Sequence, residues 1–140
     1  MIDPEDAPPV DDGELLARFI VNSNEFRKDD NSVKPKLFMP YKRIELSVNR
    51  HRECKIEETW QFGRTVAAQR KKTLYGRSDI LASNCRIEPL DVVAKPLEGN
   101  PNHADVIGFP PKKEDQLSLA TKMAATAGKR IVPPRDNARD

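Results

Sequence analysis

Ile44-Glu45-Leu46-Ser47-Val48-Asn49, followed closely by Ile56-Glu57-Glu58-Thr59-Trp60-Gln61-Phe62-Gly63-Arg64-Thr65-Val66-Ala67, is the stretch that decides the fold. In the first part apolar and polar residues alternate, the period of two that buries one face of a strand and wets the other. In the second part the period changes. Ile56, Trp60, Gly63 and Ala67 are spaced by four, three and four, which predicts an amphipathic helix. Glu57 and Glu58 open that helix and Arg70, Lys71 and Lys72 close it, matching its dipole at both ends. Gly63 in its middle costs roughly 1 kcal/mol against alanine, so a close approach of helix to sheet is expected there.

Working outward, residues 15–21 form a short apolar run interrupted by Arg18 and read as a buried strand. Residues 22–40 are polar, with a turn-prone Asp29-Asp30-Asn31-Ser32 and breaks at Pro35 and Pro40, and read as a long loop. Downstream, short strands are predicted over 79–83 and 90–94, with one helical turn between them and a final edge strand over 103–107. A second helix is predicted from about Lys112, with Leu117, Ala120, Ala124 and Ala127 as its apolar stripe and Gly128 as its stop. Only one helix can serve as a crossover between parallel strands, so the expected class is α+β: a small, mainly antiparallel sheet with two helices packed on one face.

The chain has 140 residues, a length that supports one core rather than two. Residues 1–13 are acidic and carry Pro4, Pro8 and Pro9, which predicts a disordered arm. Residues 14–128 form the single domain, and residues 129–140 read as a flexible basic tail. No apolar run approaches the ~20 residues that cross a bilayer and no leader opens the chain, so a cytoplasmic protein is expected, with no membrane partner. Cys54 and Cys85 are too few for a disulfide framework and are expected to be reduced.

The net charge of +2 is unevenly distributed: five acids and no base lie within residues 1–12, whereas residues 42–86 hold eleven Lys/Arg against five Asp/Glu. A basic body of this kind points to an acidic protein or nucleic-acid partner. The Arg50-His51-Arg52 cluster, joined by Arg77 and with Arg64 on the helix, supplies candidate binding residues, because guanidinium groups match phosphate oxygens in pairs. No glycine-rich phosphate loop accompanies them, and a solvated charge run needs no ligand.

His103 and Asp105 stand two apart, on one face of an extended stretch, and offer an acid/base pair. With Arg50 and Arg77 on a phosphate they define the alternative, a small enzyme acting on a nucleotide or other phosphate-bearing substrate. The plainer reading has Asn100 and Asn102 capping a turn around Pro101 that His103 holds against the sheet. His51, Cys54, Cys85 and His103 are the right residue types for zinc but lack its usual ligand spacing, so no metal and no cofactor is expected.

Taken together, Arg18-Phe19, Ser32-Val33-Lys34-Pro35, Leu46-Ser47-Val48, Glu58, Trp60, Tyr75-Gly76-Arg77-Ser78-Asp79-Ile80 and Asn100-Pro101-Asn102-His103-Ala104-Asp105-Val106-Ile107-Gly108 resemble a family of small uncharacterised bacterial domains. The resemblance spans roughly residues 15–127. It implies a bacterial, cytoplasmic single-domain protein, with a place in a multi-component system, and implies no activity. On residues and resemblance together, the expected function is a non-catalytic binding module.

Overall fold

The computed structural model describes residues 7–40 and 44–135. The first six residues of the acidic arm, the last five of the basic tail, and Lys42 and Arg43 of the basic segment lie outside them. Five strands, β1 (Leu15–Ile20), β2 (Leu46–Arg50), β3 (Gly76–Leu81), β4 (Asp91–Ala94) and β5 (His103–Ile107), form one sheet in the order β3-β1-β2-β5-β4. Every pairing is antiparallel. Three helices accompany them: α1 (Ile56–Gln69), the single turn α2 (Ala82–Cys85) and α3 (Lys113–Thr126). The α+β class and the antiparallel sheet are as expected.

The helices divide between the two faces of the sheet instead of sharing one. Register and alternation put Leu16, Ile20, Leu46, Val48, Ile80, Ala104 and Val106 on one face, and all of them join one buried cluster with Leu119, Ala120 and Met123 of α3. The 3-10 turn Pro35–Phe38 packs on α3 and adds Leu37 and Phe38 to that cluster. Ala17, Phe19 and Arg77 point to the other face, where α1 lies. A Cβ at Gly63 would sit 2.8 Å from the Phe19 ring, and the Arg77 guanidinium stacks 4.8 Å from the Trp60 ring centre. The apolar run of β1 is therefore buried from both sides, the pattern of an interior strand.

Three local expectations change. The 103–107 strand is interior, between β2 and β4, not an edge. Leu117 of α3 is exposed, and the buried stripe is Gln116, Leu119, Ala120 and Met123. Residues 22–40 hold two 3-10 turns, Ser23–Glu25 and Pro35–Phe38, rather than an open loop.

The domain also extends beyond residues 14–128. Val10 enters the core, Ser83 N–H donates to Asp12 O, and Arg86 binds Asp12 at 2.6 Å, so residues 8–13 are docked rather than a free arm. On the far side, Ile131 exchanges backbone hydrogen bonds with Arg77 along the outer edge of β3, and Arg130 stacks 4.2 Å over Phe26. This part of the expected tail covers a strand edge that would otherwise be open. Among the described residues, no helix is long and apolar enough to cross a membrane.

Candidate functional site

The five arginine and histidine candidates do not form one surface. Arg50 ends β2 on the α3 face and is 1% exposed; its Nε and Nη2 donate to Glu14 Oε1 and Oε2 at 2.8 and 2.7 Å. Nη1 and Nη2 also donate to the carbonyls of Pro8 and Pro9, so every nitrogen of this guanidinium is engaged internally. Its expected role in ligand binding is replaced by a structural one. Arg77 is buried under Trp60 and forks onto Asp79 through Nε and Nη2, at 3.2 and 3.3 Å.

His51 shares that carboxylate, with Nε2 at 2.9 Å from Asp79 Oδ1 and Nδ1 facing the Thr59 hydroxyl at 3.5 Å. Burial raises the Asp79 carboxyl, but the hydrogen bonds from His51 and Arg77 and the charge behind them outweigh it and hold the group below the ordinary carboxylate value. Arg52 leans on Glu53 at 3.0 Å. Arg64 opens on a separate depression of about 490 Å³ with Glu57, Trp60, Gln61 and Arg135.

The enzymatic alternative also loses its geometry. His103 Nε2 does pair with Asp105 Oδ1, at 3.6 Å, and Nδ1 bonds Lys95 O at 3.0 Å, which ties the ring to the chain just after β4. Burial pushes the Asp105 carboxyl up, His103 opposes it, and neighbouring Glu45 adds to the rise. Arg77, however, lies three strands away in the order β3-β1-β2-β5, roughly 14 Å at ~4.8 Å per strand. Arg50 sits beside β5 but points to the opposite face. The zinc quartet does not assemble either: Cys85 is in the α3-side core, its thiol pushed up to about 12 by burial, while Cys54 lies by His51 and Thr59. Among the described residues no three His, Cys, Asp or Glu side chains converge as metal ligands.

The cationic side chains that do share a concave surface are others. The register of β1 with β2 runs only over Leu16↔Arg50 and Ala17↔Asn49, and beyond Ala17 the two strands part. Arg18 fills the fork. Its Nη1 donates to Ser47 O of β2, bridging strands that no longer exchange ladder bonds there, and its Nε donates to Leu37 O of the 3-10 turn, both at 3.0 Å. Nη2 has no partner among the described residues. Burial brings the Arg18 guanidinium down to about 10; Glu25 opposes this, and Arg70, of like charge, adds to it.

Two cavities meet at Arg18. The first, about 360 Å³, lies between α1 and the open part of the sheet, with Phe62, Val66 and Gln69 on one wall, Ser47 and Asn49 on the floor, and Asn100 and His103 beyond. The second, about 570 Å³, is bounded by Lys36, Met39, Pro40, Arg70 and Lys72. Arg18, Val21 and Arg70 line both. Four cations, Arg18 of β1, Lys36 of the 3-10 turn, and Arg70 and Lys72 just after α1, thus surround a single groove, against Glu25 and Glu98. Glu25 is buried, its Oε1 accepts the N–H groups of Val21 and Asn22, and its charge faces Arg18.

The signal for this site was present in the sequence as Arg18, a lone cation in an apolar run. No protein-family profile matches the chain, and neither a curated protein nor a solved structure does. What fold and site define together is an α+β domain with a basic cleft at a forked strand pair.

Proposed function

We propose that the protein is a non-catalytic binding module that holds an anionic partner in the groove formed by Arg18, Lys36, Arg70 and Lys72. Nucleic acid is the partner class this chemistry favours, since guanidinium groups match phosphate in pairs, with an acidic protein segment as the alternative. One observation carries the reading: half-buried Arg18 spends Nε and Nη1 on the protein, leaves Nη2 without a partner among the described residues, and sits beside like-charged Arg70 where two cavities join. The four cations outnumber Glu25 and Glu98 around the groove, and that positive excess favours an anion there.

The test is a titration at low ionic strength with a mixed-sequence single-stranded oligonucleotide and, separately, with poly-glutamate. Arg70→Ala is expected to weaken binding to whichever probe is taken, while Arg64→Ala, outside the groove, leaves it unchanged. Failure of both probes to bind near 20 mM salt, where counterion release favours polyanions most, removes the proposal.

A further inference from the structure

The groove does not end at the cations, and its first cavity is not built for charge alone. We infer that the unit bound here is a nucleotide, its phosphate between Arg18 and Arg70 and its base in the cleft beside Phe62, within reach of Asn100. The inference rests on the reading of the groove as an anion site and adds what lies next to the anion.

Three features support it. The Asn49 and Asn100 carboxamides bond each other reciprocally, Nδ2 to Oδ1 at 3.1 Å in both directions. The pair spends the donor–acceptor edge of both amides, and each keeps one further N–H; that of Asn100, the less buried of the two, is a donor for a ring nitrogen or carbonyl of a base. Next, Phe62 stands half-buried on the α1 wall and lines the cleft instead of entering the core, leaving a ring available for stacking. Finally, the cleft's 360 Å³ falls at the small end of ligand pockets, room for one base rather than a large cofactor. An acidic peptide would use the cations but has no need of the ring.

The same chemistry comes from a free mononucleotide or from one residue of a single strand, so the experiment has arms for both. Binding is measured for AMP, for a twelve-residue single-stranded oligonucleotide, for an abasic strand of equal length, and for inorganic polyphosphate. The oligonucleotide is expected to bind about 10-fold more tightly than the abasic strand, the scale of one stacked base. Phe62→Ala should erase that gap and leave the abasic affinity unchanged; Phe62→Leu, which keeps the flank apolar, serves the same purpose if the alanine variant does not fold. Saturable AMP binding that is likewise lost in these variants assigns the cleft to the free nucleotide, and its absence assigns it to the strand. Equal affinity for oligonucleotide and abasic strand, with no effect of Phe62, overturns the base site while the anion groove stands. Absence of binding to every probe, polyphosphate included, overturns both.

Discussion

Arg50 and Glu14 hold each other in a two-pronged pair, 2.8 and 2.7 Å, across 36 residues of sequence and beneath the docked N-terminal segment. Removing one partner leaves the other charge buried without compensation. Glu14→Gln is expected to lower stability by about 3 kcal/mol, read as a fall in the urea midpoint with an unchanged slope. Arg50→Met combined with Glu14→Leu should cost less than Glu14→Gln alone, because no unpaired charge then remains.

Acid should weaken the fold through the same carboxylate. Burial raises the Glu14 carboxyl, but the bonds from Arg50 and the Asp11 N–H together outweigh it and hold it below its ordinary 4.5. Asp79 is depressed below 3.8 by His51 and Arg77. A depressed carboxylate stabilises above its unfolded pKa and loses that contribution as pH falls through the folded one. Thermal midpoints are therefore expected to be level from pH 7 to about 5 and to drop below about 4.5, with a shallower drop in Asp79→Asn.

Asp105 runs the other way, its carboxyl raised above 3.8 by burial and by Glu45. A raised carboxyl costs stability above its folded pKa, so Asp105→Asn should raise the melting temperature at pH 7, and the advantage should shrink as pH falls toward 4. A melting temperature lowered at pH 7 would mean that the His103 contact matters more than the burial of the charge.

Gly63→Ala sets helix propensity against packing. The substitution gains up to ~1 kcal/mol in an isolated helix. Here the new methyl would meet the buried Phe19 ring at 2.8 Å and Leu74 at 3.3 Å, and overpacking costs about 1–3 kcal/mol. The net expectation is a loss of about 1 kcal/mol in denaturant unfolding, relieved by Phe19→Leu in the same chain.

The salt dependence of nucleic-acid binding counts the cations in the groove. For single strands each neutralised phosphate contributes about 0.7 to the slope of log affinity on log salt. Arg70→Ala and Lys36→Ala should each lower the slope by about that amount, whereas Arg52→Ala, which leans on Glu53 outside the groove, should leave it unchanged.

Much of the fold was legible because its elements are locally patterned. The change of period at Ile56 sets the start of α1, and Gly63 meets the sheet closely, as a mid-helix glycine suggests. The stripe of α3 was misplaced because alanine at many positions gives its two sides little contrast, so Met123 and Leu119 take the buried side and Leu117 is left out. Strand order carries no local mark, so a short run such as 103–107 reads as an edge although β5 is flanked on both sides.

The site was less legible for a related reason. Arg50 in a basic cluster looks like solvent-facing charge, and only its distant partners, Glu14 and the carbonyls of Pro8 and Pro9, make it structural. Arg18 is a half-buried charge between neighbours buried on both faces, and that local oddity was the readable trace of the groove.

The claim on which the function rests is that an anion enters at the β1–β2 fork. The most direct measurement is a backbone amide NMR titration with a single-stranded oligonucleotide at low salt. Perturbations centred on Arg18, Val21, Ser47 and Arg70 are expected, fading toward β4. Perturbations centred instead on Arg52, Cys54 and Arg77, or none at saturating oligonucleotide, would contradict the account.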